Sequence, residues 1–220
     1  MIFETLYIII SVKAIIFNRL NCEGVINLQN HFYAMMSRMK NIYRWGLMRN
    51  TRRENLSEHS LEVAQIAHAL AIINRKRLGG KAEPYYVATV AMYHDTSEII
   101  TGDMPTPIKY YNSEIKSAYK QIEAAAEKEL MGMLPDDFKG DFTSIYNPDP
   151  ITVRLVKAAD KISALIKCTE ELNMGNSEFA VAEKTIRNAI EEMNMEEANI
   201  FLKEFMPSFS LSLDEQRTEG

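Results

Sequence analysis

Cysteine is scarce in this chain, and its two copies, Cys22 and Cys168, are spaced for neither a zinc knuckle nor a redox pair. A reduced, cytoplasmic setting is the expectation. Strand alternation, internal repeats and low-complexity tracts are also missing, which leaves no case for a β or repeat architecture. Nor is there an excess of positive charge. A net charge of -5 argues against a general binder of nucleic-acid polymers, whose surface is usually basic. No apolar run is long and unbroken enough to span a membrane. The nearest, Ile8 to Phe17, is interrupted by Ser11 and Lys13. It lacks preceding positive charge and a small-residue cleavage site, since Glu4 is the only early charge, so it does not read as a secretory signal. Residues 1–29 therefore read as an N-terminal extension outside the main pattern, upstream sequence read through from an early start codon, with a transmembrane anchor as the weaker alternative.

What is present suits one soluble, well-cored domain over residues 30–220: apolar residues make up 46% and charged residues 25% of the chain. The periodicity is helical nearly throughout, so the fold class is all-α. A first helix is expected from Phe32 to Ile42. Ser57 is the expected N-cap of the next, with an apolar face of Leu61, Ala64, Ala67, Leu70 and Ala71 and with His59 in its first turn. Pro84 fits the first position of a third helix running on to His94. Thr101 to Pro107, with two prolines and a glycine, is expected to break regular helix. Longer helices follow from Ser113 to Leu134 and Thr152 to Met174, then Glu178–Met193 and Glu196–Phe205. From His31 to Arg53 the chain carries Arg38, Lys40, Arg44, Arg49, Arg52 and Arg53 and no acid. Such a stretch suits a small phosphate ligand or, equally, a solvated face.

Histidine is as informative as cysteine is silent. Two of the four histidines fall in one constellation, His59, then His94-Asp95, then Asp160. Two imidazoles and two carboxylates form a donor set suited to Mn, Fe, Co, Ni, Cu or Zn rather than to Ca or Mg. On an octahedral ion these four ligands leave two positions open, as a metal hydrolase requires. On a continuous helix His94, Asp95 and Glu98 share adjoining faces. Burying such groups without partners costs several kcal/mol each, on the order of the penalty for unpaired charge, and a metal offsets that cost. The plainer readings are a solvent-facing polar stripe for His94-Asp95, a surface pair of Asp160 with Lys157 or Lys161, and a capping or packing role for His59. His68 lacks a matching carboxylate pattern and reads as structural.

The H…HD…D order on an all-α chain resembles the HD-domain phosphohydrolase superfamily, and within it the bacterial 5′-deoxynucleotidases. Met39 to Asn50, with Arg44-Trp45, carries the resemblance, as do Glu54 to Leu61, Ala91 to Glu98, Thr101 to Tyr110 and the tail Phe205 to Glu215. It covers roughly residues 30–216. The resemblance implies an HD-domain helical bundle, commonly homodimeric. It implies a metal-dependent phosphatase of deoxyribonucleoside 5′-monophosphates, broad in base and selective against ribose, with Co, Mn or Cu as its divalent cation. His59, His94, Asp95 and Asp160 would be the metal ligands, with His59, Asp95 and Asp160 also facing substrate. Arg44 would orient the phosphate, Trp45 would press against the sugar near C2′, and Asp103, Met104, Pro105 and Thr106 would form the other wall. Glu98, Asp103 and Arg44 are the expected catalytic groups; Trp45 as a core anchor is the alternative for that residue. Two rival readings share the metal centre: an HD phosphodiesterase or alarmone hydrolase, and a non-catalytic nucleotide-binding module.

Overall fold

The computed structural model of the protein describes residues 30–109 and 111–217. The expectations for residues 1–29 fall outside the described residues. Within them the chain forms eleven α-helices and three short 3₁₀ turns. The sole strand-like feature among them is an isolated antiparallel bridge between Tyr43 and Asn55.

Helix α1, Phe32–Met36, is shorter than expected: a 3₁₀ turn over Ser37–Asn41 replaces its second half, and Ile42 is extended. The cause is the pairing that follows. Arg44 N–H bonds to the Glu54 carbonyl and Leu56 N–H to the Ile42 carbonyl, both at 3.0 Å, so the chain must leave helical geometry before Tyr43. Residues 44–54 thus become a loop closed at its neck.

Helix α2, Leu56–Arg77, starts on Asn55 rather than Ser57. Asn55 has the extended backbone an N-cap needs, and its side chain accepts from the Ser57 and Glu58 N–H groups, while Glu58 reaches back to the Asn55 N–H. That reciprocal box is worth about 1 kcal/mol or more. The buried face differs by one row from the expected one. Leu61 is exposed, and Val63 joins Ala64, Ala67, Leu70 and Ala71 inside.

Helix α3, Pro84–Met92, and helix α8, Pro150–Asn173, complete the central layer with α2. Between them lie α4 (Glu98–Thr101), α5 (Thr106–Lys109), α6 (Ser113–Gly132) and α7 (Lys139–Tyr146). Helices α9 (Ala180–Glu191), α10 (Glu196–Glu204) and α11 (Leu213–Arg217) close the chain. Ala67, Ala71, Ala91, Ala158 and Ala159 are fully buried in the central core, so the α2, α3 and α8 backbones approach closely around Val63, Leu70, Val87 and Ile162. A second apolar cluster, Phe32, Leu130, Met133, Leu134 and Phe142, joins α1 to α6 and α7.

Two expectations about the middle of the chain are corrected. Helix α3 ends at Met92, so His94 and Asp95 lie in turns and Glu98 opens a separate helix. Thr96 explains part of the break: its hydroxyl donates to the Tyr93 carbonyl at 2.9 Å, competing with the backbone for that acceptor. Further on, only Gly102 to Pro105 lies outside helix, whereas Thr106 and Pro107 begin α5. Proline is tolerated there because a helix's first turn leaves its N–H groups unbonded anyway.

Candidate active site

Three elements converge on one point. His59 is fully buried in the first turn of α2, fixed there by the Asn55 cap. His94 and Asp95 come from the turns after α3, and Asp160 from the middle of α8. Donor atoms of His59, His94 and Asp95 all lie within 4.8 Å of one another. Asp160 joins through His59, with its Oδ1 at 3.2 Å from His59 Nε2. Asp95 Oδ2 lies 3.5 Å from His59 Nε2 and 3.2 Å from His94 Nε2. The sequence reading therefore named four residues that do come together.

The far side of each imidazole is held. His94 Nδ1 bonds to the Ala91 carbonyl at 2.7 Å, which makes it the protonated nitrogen. His59 Nδ1 faces Ser163 Oγ at 3.1 Å, and the Ser163 hydroxyl donates to Glu62, so its oxygen is free to accept from His59. Both Nε2 atoms are buried without a hydrogen-bond partner and point into the carboxylates. Two oriented imidazoles with the outer nitrogen satisfied and the inner one bare, beside two carboxylates, fit a transition-metal ion. In the protein alone a proton competes for that place. Burial and the Arg44 charge oppose it, yet the facing carboxylates of Asp160, Asp95 and Glu54 hold the His59 pKa well above its ordinary value. Burial alone would raise Asp95 and Asp160, but the neighbouring histidines bring both below the usual carboxylate range.

Arg44, Glu98 and Asp103 stand around this centre. Arg44 reaches it from the loop neck, with Nη1 at 3.2 Å from Asp95 and Nη2 at 3.9 Å from Asp160. Trp45 is half-buried, its ring tilted against that of the buried Phe179 with centroids 5.4 Å apart. Glu98 is buried at the start of α4, its Oε2 unpartnered. Burial, aided by Asp95 and Asp103, pushes its pKa up to about 9, a tendency that a divalent charge nearby would oppose. Gly102, at φ +75°, makes the turn from α4 into Asp103 that a side chain would strain. Asp103 is also raised by burial, against the pull of the Arg44 charge. Met104 and Pro105 follow in the same half-buried segment, and Thr106 opens α5.

Sequence reasoning missed Glu54. It lies opposite Arg44 at the loop neck, and its Oε2 accepts from the Trp45 indole N–H at 2.8 Å and sits 3.4 Å from Arg44 Nε. Its other oxygen is 3.7 Å from His59 Nδ1. A signal was available, since Glu54 is the first acid after the acid-free basic stretch. Also missed was the buried pair Lys167–Glu171 on α8. Glu171 accepts from Lys167, from the Thr51 and Arg52 N–H groups, from the Thr51 hydroxyl and from Asn176. Lys167 also donates to the Arg52 carbonyl. This second cluster fastens the outer part of the 44–54 loop to α8.

Comparison with known proteins points one way. A family model described as 5′-deoxynucleotidase YfbR-like matches residues 31–209. A 5′-deoxynucleotidase of Vibrio cholerae is 52% identical over 190 residues, covering 85% of this chain and 98% of its own length. One of Photorhabdus laumondii is 48% identical over 189 residues, covering 84% and 96%. Among solved structures, an HD-domain phosphohydrolase from Listeria innocua superposes with TM-score 0.71 at 22% identity, covering 86% of this chain and 92% of that one. The cyanophage S-2L HD phosphohydrolase DatZ, bound to dA and one catalytic Zn2+ ion, superposes with TM-score 0.60 at 19% identity, covering 80% and 95%. At those two identities the likeness is one of fold.

Proposed function

The chain belongs to the YfbR-like 5′-deoxynucleotidase family, and from that premise we propose that it is a metal-dependent phosphoric monoester hydrolase acting on deoxyribonucleoside 5′-monophosphates. The observation that carries the reading is the pair of bare, buried Nε2 atoms of His59 and His94 converging on Asp95, with the Arg44 fork alongside. Neither a phosphodiesterase nor a non-catalytic module explains the Arg44-Trp45 wall together with the buried Glu98.

His59, His94, Asp95 and Asp160 would hold a divalent cation, with Co, Mn or Cu the ions we favour. Once bound there, such an ion would supply Lewis acidity to a phosphate oxygen and to an attacking water at neutral pH. Arg44 presents planar N–H donors to the phosphate and stabilises the charge that spreads over its oxygens. Its acidic neighbours hold that fork in place. Water attacks phosphorus directly, the bond to the 5′ oxygen breaks, and the products are deoxyribonucleoside and phosphate. Glu98, buried with one free oxygen, handles the proton of the attacking water. Asp103, on the Arg44 side, supplies one to the leaving 5′ oxygen. Trp45 closes the space beside C2′, and Met104, Pro105 and Thr106 line the facing wall. We assign residues 30–220 to one HD phosphohydrolase domain.

Two finer readings rest on family resemblance: the enzyme is a homodimer and works in the cytoplasm. No helix among the described residues is long and apolar enough to cross a membrane. Phosphate release from dAMP and AMP, with Mn, Co, Cu or no added metal, tests the whole. Release from dAMP alone, and only with metal, is expected. Equal turnover of both nucleotides removes the sugar selectivity, and release unaffected by chelator removes the metal.

A further inference from the structure

Trp45 has a backbone that its side chain disfavours. Its φ is +60°, in the left-handed region that a bulky residue enters only when its surroundings compel it. The compulsion is visible. The Trp45 carbonyl accepts from Met48 N–H at 3.0 Å and from the Asn50 side chain at 3.2 Å, which curls the loop tightly after the indole. Preceding it, Arg44 N–H is bonded to the Glu54 carbonyl. The indole itself has one polar tether, the 2.8 Å bond to Glu54. The same carboxylate oxygen faces Arg44 Nε, so one atom fixes the group assigned to the sugar relative to the group assigned to the phosphate.

We propose that Glu54 is the positioning residue for deoxyribose selectivity: by holding the Trp45 indole against the Arg44 guanidinium, it sets the distance between the phosphate clamp and the wall beside C2′. A wall excludes one hydroxyl only if it cannot retreat by the width of an oxygen atom. Contact with Phe179 constrains the indole from one side, but a ring contact leaves sliding free. The hydrogen bond to a carboxylate removes that freedom. Its acceptor is an ionised carboxylate, which makes it stronger than a neutral one. The inference rests on the deoxynucleotidase reading above, because it assigns selectivity within that site.

The test uses the Mn-loaded enzyme and the variants Glu54→Ala, Glu54→Gln and Trp45→Phe. Trp45 is the chain's one tryptophan, so its fluorescence reports its surroundings without interference. In Glu54→Ala the ratio of kcat/KM for dAMP over AMP is expected to fall about tenfold, the effect of losing one hydrogen bond to a charged group. Its emission should shift and its anisotropy drop, and the ratio is read at saturating Mn because Glu54 also lies 3.7 Å from His59 Nδ1. Glu54→Gln keeps an oxygen that accepts from the indole, so the ratio should return to within about threefold of wild type. Trp45→Phe removes the same bond from the other side; combined with Glu54→Ala it should lower the ratio no further. A Glu54→Ala enzyme with native metal affinity, unchanged emission and unchanged ratio overturns the proposal, as does a Trp45→Phe enzyme with wild-type selectivity. If the wild-type enzyme fails to distinguish dAMP from AMP, the proposal falls with the selectivity reading. The emission change then reports only a structural tether.

Discussion

The protein buries two clusters of charge on the same face of α8, and they are built on opposite plans. At Lys167–Glu171 each polar group is matched: the carboxylate collects donors from Lys167, Thr51, Arg52 and Asn176, and the ammonium also meets a backbone carbonyl. At His59–Asp95–Asp160, by contrast, His59 Nε2, His94 Nε2, Arg44 Nε and Glu98 Oε2 are all buried without a hydrogen-bond partner. Native interiors rarely tolerate such orphans, and those they keep call for an explanation. The first cluster therefore serves the fold, whereas the bare atoms of the second fit the proposed metal and phosphate. Yet the two are joined, because Lys167 and Glu171 hold the loop that delivers Arg44 and Trp45 to the centre.

If that contrast is right, breaking each cluster harms a different property. His94→Ala should reduce phosphate release to background and abolish metal binding, as read by titration. Its metal-free stability should fall by only about 1 to 2 kcal/mol in urea, the worth of the lost Nδ1 bond to the Ala91 carbonyl. A large loss of stability in that variant would make the centre structural as well. Glu98→Ala should keep the metal but lower kcat by about 10²- to 10⁴-fold, the usual worth of a positioned acid or base. A wild-type rate would remove Glu98 from the mechanism.

The same contrast explains what could be read from the sequence. The four residues proposed as ligands could be picked out together because their order, two imidazoles and two carboxylates on helical sequence, matches a donor set for a transition metal. The core helices were legible through their period. Lys167 and Glu171 were not, since a Lys and a Glu four residues apart on a helix read as an exposed surface pair. Only the arrival of Thr51 and Arg52 from another part of the chain turns that pair into a buried clamp. The end of α3 at Met92 was equally hidden, as no proline or glycine marks it and the break depends on where Asp95 must face. For Glu54 the sequence offers only its place after the acid-free stretch, and it is the loop neck that sets it opposite Arg44.

Glu171→Gln should act on the other side of the comparison. Removing one partner of a buried pair costs about 3 kcal/mol or more, read as a lower urea midpoint, while Mn affinity stays within about threefold of wild type. The pH dependence has a definite sign. Burial would raise the Glu171 pKa, but bonds from Lys167, Asn176 and Thr51 outweigh it and hold the folded-state value far below the ordinary 4.5. A depressed carboxylate contributes stability that is present above its unfolded pKa and is lost as pH falls through the folded one. Wild-type stability should thus decline below about pH 4.5, and the Glu171→Gln curve should be flatter there. Parallel curves would mean that the clamp does not carry the acid sensitivity.

The smallest expected effect sharpens the comparison from the side of the metal centre. His59 is held well above its ordinary pKa by Asp160, Asp95 and Glu54, against its burial and the Arg44 charge. A ligand nitrogen cannot hold a proton and a metal ion together, so binding the cation releases that proton. Below the raised pKa, apparent metal affinity should therefore climb about tenfold for each unit of pH and level off above it. In metal-free protein the sign is opposite. A raised histidine contributes stability below its unfolded pKa, which is lost as pH rises through the folded value. Competition titrations with a calibrated chelator at several pH values measure the first slope, and urea melts without metal measure the second. Opposite slopes would show proton and metal exchanging at His59 Nε2, which the fully bonded Lys167–Glu171 cluster has no vacant donor atom to imitate. A pH-independent metal affinity would place the cation away from His59.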